Sequence, residues 1–201
     1  MTIQATPRGQ SRQRQRENTR RQLLEAGLRM VAVHGFAGTT TAAIAKETGK
    51  AHGTVFVHFQ TRDALVTELV EEVGREMSRR LAEMPSDTPT LSEVLDAHLL
   101  ALAEHEVLYA CLLREASTLP LAARARVFAL QAGVAWRLRE AHERDLATGT
   151  VRAGSSAALS NLWIAWTNHF LMNRDLLAPD ASVIRARGAE LKAQFLDFVR
   201  P

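Results

Sequence analysis

The apolar and polar positions of this chain alternate at helical spacing for most of its length. Leu24, Leu28 and Val31 mark a first helix, which His34-Gly35-Phe36 closes with a glycine followed by an apolar contact residue. Thr39 or Thr40 can cap a short second helix, whose Thr41, Ile44, Ala45 and Thr48 share a face and which Gly49 stops after about two turns. A third, roughly 51–58, puts Val55 and Phe59 four apart on its inner side. Asp63 opens a longer fourth helix, in which Val66, Leu69, Val70, Val73 and Met77 follow an i, i+3, i+4, i+7, i+11 stripe.

The segment Met84-Pro85-Ser86-Asp87-Thr88-Pro89 cannot continue a helix and reads as a linker. After it, Thr90 and Glu93 form a capping box, and Leu91, Val94, Leu95, His98, Leu99 and Leu102 give a fifth helix a broad apolar face. A sixth helix runs from Val107 to about Ser117, and a seventh over about 121–147 with Val127, Leu130, Val134, Leu138 and Ala141 inward. The eighth, about 156–177, is apolar nearly all round, which predicts burial on more than one side. From Pro179-Asp180 a last helix carries Ile184, Gly188, Leu191, Phe195 and Phe198 at spacings of four and three. Such a seam fits a terminal core helix and a subunit contact equally. No useful strand alternation and no internal repeat interrupts the pattern. The expected fold is all-α with about nine helices: a basic disordered arm over 1–15, a small three-helix head over 16–62, a connecting helix over 63–84, and a helical body over 90–201.

With 201 residues, 46% apolar and 23% charged, the chain can bury a sizeable core. No apolar run approaches the roughly 20 residues that cross a bilayer, and the arginine-rich N-terminus lacks an apolar signal core, so a cytoplasmic location is expected. Cys111, the single cysteine, excludes an intrachain disulfide and a multi-cysteine metal site and reads as a small buried side chain. The distribution of charge changes the picture more. Residues 1–22 hold Arg8, Arg12, Arg14, Arg16, Arg20 and Arg21 against Glu17, a net of +5, which leaves −2 for the rest of a chain whose total is +3. A basic end on a mildly acidic body suits an anionic partner such as nucleic acid, or a solvated tail.

Two short helices joined by a glycine turn form the helix-turn-helix pattern, in which the first helix braces and the second enters the DNA major groove. In the second helix Lys50, His52, Thr54, Phe56 and His58 read as outward. Lysine and histidine can donate to base edges or phosphates, Thr54 can contact either, and Gly53 removes a side chain where backbone must approach a duplex.

Gly35, Thr39-Thr40, Ile44-Ala45, Gly49, Gly53-Thr54, Phe56, His58-Phe59 and Arg62-Asp63-Ala64-Leu65 follow one another in an order that resembles the DNA-binding domain of the tetracycline-repressor (TetR) family of bacterial transcription regulators. The resemblance implies that Thr39 or Thr40 caps the bracing helix beside phosphate, that Lys50, Ala51, His52 and Thr54 lie nearest the bases, with Gly53 among the DNA-binding positions, that Phe56 and His58 flank phosphates, and that Arg62 grips the backbone. Three positions depart from the family: Lys50 replaces an apolar residue, Ala51 a capping serine, and Phe56 a tyrosine whose hydroxyl would donate to phosphate.

The resemblance further implies a homodimeric repressor of a palindromic DNA operator, released by a small, largely apolar effector, with no cofactor and no membrane association. A two-turn reading helix covers only a few base pairs, so two half-sites are needed. The last two long helices would pair across the dimer, giving Trp163, Phe170, Ile184, Leu191, Phe195 and Phe198 as candidate interface residues. Leu95, His98, Leu102, Tyr109, Leu112, Phe128, Gln131, Trp163, Trp166 and His169 combine apolar bulk with polar groups and are the candidate effector pocket. His98 and His105 stand seven apart, without the i, i+4 pair of a helical metal site, so both read as ordinary core or surface histidines. No nucleophile elbow, phosphate loop or metalloprotease helix points to an enzyme. A helical enzyme or ligand carrier that keeps such a head remains the alternative, together with sequence-neutral nucleoid binding.

Overall fold

The computed structural model describes residues 7–83 and 86–201, with side chains from residue 10 onward. Its described residues form ten α-helices and no strand: α1 Pro7–Gly38, α2 Thr41–Glu47, α3 His52–His58, α4 Arg62–Ala82, α5 Leu91–Glu104, α6 Glu106–Glu115, α7 Leu121–Ala147, α8 Ser156–Met172, α9 Arg174–Leu177 and α10 Val183–Val199. A 3-10 turn, Ala116–Thr118, follows α6. The all-α expectation holds. No helix among these residues is long and apolar enough to cross a membrane.

Residues 7–15, expected to belong to a disordered arm, are the start of α1; residues 1–6 lie outside the described residues. Pro7 occupies a position where its missing N–H costs nothing. The glutamines and arginines that follow have high helix propensity, and Gln13 donates to Glu17 at 2.6 Å one turn on. Polarity argued against burial in this segment, and burial is absent: residues 10–18 are exposed. It did not argue against helix.

The head packs Leu23, Leu24, Val31 and Phe36 of α1 with Ile44 and Ala45 of α2, Val55 of α3, Phe59, and Leu65 and Leu69 of α4. Thr61 caps α4 by accepting from Ala64 N–H, so α4 is nucleated inside the head. Its stripe then continues into the body, where α4 lies against α5 and α7. A second junction joins α1 to α6. Head and body are thus connected at two places.

In the body α7 packs on α8 and α10 on α5, around Leu95, Leu102, Leu112, Val134, Trp163 and Phe195. The expected eighth helix is divided at Asn173, whose Nδ2 donates to the His169 carbonyl at 2.8 Å and ends α8. The four-and-three seam of α10 points inward: Ile184, Leu191 and Phe195 are buried, and Gly188 lies beside Leu99. Trp163 is fully buried as well, its ring edge-on to Phe195 at 5.2 Å. Those four interface candidates therefore complete the chain's own core, because α5 already fills the side of α10 that the seam faces. Phe170 is half-buried and Phe198 exposed.

A buried carboxylate fixes the start of α10. Glu106 is 4% exposed and accepts from Val183 N–H and Ile184 N–H at 3.1 Å, from Arg174 Nε at 2.9 Å and from the Ser182 hydroxyl. Burial works against its charge, yet the Ser182, Arg174 and backbone hydrogen bonds together hold its carboxyl below the usual glutamate range.

Candidate nucleic-acid interface

Three elements meet at the free end of the head. Thr40 caps α2 by accepting from Ala43 N–H at 3.1 Å, and Gly49, at φ 63°, makes the left-handed turn that ends it. Ala51 precedes α3 without a side-chain cap, the weakness expected from its departure from serine. In place of a cap, Thr41 of α2 meets the His52 ring, Oγ1 to Nε2 at 3.0 Å, and the His52 ring packs edge-on to Phe56 at 5.1 Å. The His52 side chain is thereby held by both helices.

Exposure along α3 follows the helix and not the alternation read from sequence. Val55 is buried, so the opposite side consists of His52, Gly53, Phe56 and Val57, all exposed, with Thr54 and His58 half-buried at its edges. Val57, 65% exposed, was missed. Its position two residues from Val55 was the available signal, since residues i±2 on a helix face away from residue i. Lys50 and Ala51 are exposed just before this face. Gly53 has no heavy atom within 4 Å of where a Cβ would stand, so nothing in the chain's own packing asks for glycine there.

Two expected contacts have other occupations. Thr39 is only 3% exposed and donates its hydroxyl to the Gly35 carbonyl at 2.7 Å, which makes it a support for the α1 end. Arg62 donates through one nitrogen to the Phe36 carbonyl at 2.9 Å and to that of Ala37 at 3.5 Å. His58 lies near Arg16 and Arg20; burial first, then these two charges, lower its pKa and favour the neutral ring. As a neutral ring it does not contribute a full positive charge to a phosphate.

Sequence reasoning also missed Glu115, at the end of α6. Gly35, at φ 70° and ψ 177°, breaks α1 in a region open essentially to glycine alone. The break frees two N–H groups, Phe36 at 3.0 Å and Ala37 at 2.7 Å, and both donate to the Glu115 carboxylate. Arg62 holds the Phe36 carbonyl on the other side. Glu115 of the body thus holds the peptide segment that follows Gly35 in the head.

The pocket candidates separate into three groups. Leu95, His98, Leu102, Tyr109, Leu112 and Trp163 are buried and packed together, with Trp163 Nε1–H donating to His98 Nδ1 at 3.0 Å. Burial lowers the His98 pKa to about 4, so the ring is a neutral acceptor. Phe128, 74% exposed, and the half-buried Gln131 instead line a surface groove of about 400 Å³ between α7 and α8, with Trp136, Ile164 and Asn168. Phe128 faces outward because it follows the buried Val127 on α7. Gln131 connects the two groups by donating to the Tyr109 hydroxyl at 3.2 Å. Trp166 is half-buried and His169 exposed on α8.

Residues 23–69 match the family model of the bacterial regulatory proteins of the tetR family. The HTH-type transcriptional repressor AcnR of Corynebacterium glutamicum is 36% identical over 70 residues, 35% of this chain and 35% of that protein. The match therefore spans about a third of the curated relative. A TetR-family regulator from Agrobacterium tumefaciens superposes on 92% of this chain and 100% of its own, with a TM-score of 0.77 at 18% identity. The transcriptional regulator FadR from Bacillus subtilis, solved with stearoyl-CoA, covers 89% and 98%, with a TM-score of 0.72 at 17% identity. These likenesses establish a shared fold over nearly the whole chain.

Proposed function

We propose that this chain, which carries the tetR-family domain at residues 23–69 on a fold of the same kind, is a homodimeric repressor of a palindromic operator, released by a small, largely apolar effector. The observation that carries the reading is the outer face of α3. His52, Gly53, Phe56 and Val57 are presented together, Lys50 stands at the entry, and Gly53 has no packing reason to be glycine. His52 can donate to a guanine acceptor, Val57 can meet a thymine methyl, and Gly53 brings backbone close to a phosphate or sugar. Lys50 supplies charge where the Phe56 ring cannot donate to phosphate. Thr40 and Thr54 border the same face.

The dimer supplies the second reading helix. Within one chain α8 buries Ser160, Trp163, Thr167 and Leu171 and leaves Leu162, Ala165, His169 and Met172 exposed, a mostly apolar outer face that a second copy would cover. Phe170 and Phe198 border that surface; the inward seam of α10 takes no part. For the effector, the α7–α8 groove leads through Gln131 to the buried Tyr109, so an apolar ligand that displaces Gln131 gains access to the Leu95, Leu102 and Leu112 cluster. The stearoyl-CoA held by Bacillus FadR supports an apolar chain as effector in a body of this fold. A ligand relieves repression only if it favours a conformation that binds DNA less well.

Selection of preferred sites from random duplex DNA tests the reading. Enrichment of an inverted repeat, followed by its release with acyl-type or aromatic compounds, is the expected result. Recovery of no inverted repeat would sink it.

A further inference from the structure

We propose that the amino-terminal part of α1 is a rigid extension of the DNA-binding surface, in which the row Arg12, Arg16 and Arg20 runs from the reading helix along phosphates beside the half-site. The inference rests on the reading of α3 as a DNA-recognition helix. It concerns a surface that the helix-turn-helix itself does not include.

Geometry joins the row to α3. Arg12, Arg16 and Arg20 stand at successive i, i+4 positions, so they lie on one side of α1, with a slow drift around it. The Arg20 guanidinium sits over the ring of Phe59, 5.2 Å from its centre, immediately after α3. Arg16 and Arg20 are also close enough to lower the pKa of His58, in the last turn of α3. The row therefore begins at the end of the reading helix. At 1.5 Å per residue it extends about 12 Å along α1 from Arg20 to Arg12, and a duplex rises 3.4 Å per base pair, so it reaches about four base pairs of backbone.

Charge identifies the partner. Arg20 pairs with Glu68 at 2.7 Å and Arg21 lies near Glu25 at 3.7 Å, but Arg12, Arg14 and Arg16 have no acidic partner among the described residues. A protein that needed this segment only as a solvated helix would gain from i, i+4 glutamates, and the one glutamate there, Glu17, takes a hydrogen bond from Gln13. Two of the row's three guanidiniums, Arg12 and Arg16, are thus unpaired one turn apart on an exposed, regular helix, and match a polyanion with regularly spaced charges. The helix also makes this a fixed row. Its phosphates are determined by where α3 docks, whereas a flexible arm would find any of many.

The experiment compares wild type with Arg12→Gln/Arg16→Gln on the operator selected above, flanked either by six or more base pairs or by none, between 50 and 200 mM salt. Glutamine keeps the helix propensity, and the substituted side chains are exposed, so circular dichroism and melting temperature should not move. The expected result is a salt slope lower by about 2 and, across that salt range, an affinity loss about tenfold smaller than for wild type. The difference should vanish on the unflanked duplex, and Arg12→Lys/Arg16→Lys should restore most of the slope. Equal slopes for wild type and the glutamine variant on the flanked duplex would overturn the inference. If no preferred operator exists the repressor reading fails instead, and the same comparison on bulk duplex still tests the row.

Discussion

Gly35→Ala should destabilise the protein through two separable effects. The residue at 35 sits at φ 70° and ψ 177°, where any side chain costs about 1–3 kcal/mol. A Cβ there would also overlap Glu115 Oε1 and push the carboxylate off the Phe36 and Ala37 N–H groups. A charge-assisted bond contributes about 1.5–3 kcal/mol when buried; for this half-exposed carboxylate, solvent reduces each to about 1 kcal/mol. The expected total is about 3–5 kcal/mol, a large share of a typical domain stability of about 5–15 kcal/mol. Urea denaturation followed by circular dichroism measures it. The decisive comparison repeats the change in a Glu115→Ala background, where there is no carboxylate to displace and only the backbone cost of about 1–3 kcal/mol should remain. Coupling of about 2 kcal/mol between the two sites is therefore expected. A cost below about 1 kcal/mol, or strict additivity with Glu115→Ala, would refute the clamp.

Gly53→Ala should separate folding from binding: α3 gains up to about 1 kcal/mol of helix stability, raising the melting temperature, while operator affinity falls, and a variant that binds as well as wild type would remove Gly53 from the interface. Phe56→Tyr should tighten operator binding about fivefold by restoring a phosphate donor worth about 1 kcal/mol, read by fluorescence anisotropy; an unchanged affinity would place the ring away from phosphate. His98 supplies a pH dependence. Its pKa is about 4 folded against 6.5 unfolded, so between those values the unfolded chain binds the extra proton and stability is lost as pH falls. At pH 5 the loss is about 2 kcal/mol relative to pH 7.5, and His98→Gln should lack that part of the profile; identical profiles would show that burial of the His98 ring carries no linkage.

Helix positions and the helix-turn-helix were legible because apolar spacing and turn glycines are local signals. Ile44, Val55, Phe59 and Leu65 form the head's core because their periodicity leaves no other inward face. The reading face was legible only in part. Strict alternation marks Phe56 as outward and Val57 as inward, whereas the helical period places both on the exposed side. The roles of Thr39, Arg62 and Glu115 depend on contacts 4, 26 and 79 residues away in sequence, and only the first of these separations falls within helical periodicity. The seam of α10 shows another limit: spacing identifies an apolar side, and the partner is decided by which helix reaches it first. Here that helix is α5. The extension of α1 is hidden for a different reason: polarity and helicity are independent, and a polar composition excludes burial without excluding helix.

Two copies of the α3 face are expected to read one site. Anisotropy titration of the selected palindrome, and of the same duplex with one half-site scrambled, measures this directly. Two chains per palindrome are expected, with the half-scrambled duplex bound at least about a hundredfold more weakly, because the second contact is intramolecular only when both half-sites are present. Equal affinity for the two duplexes would contradict it.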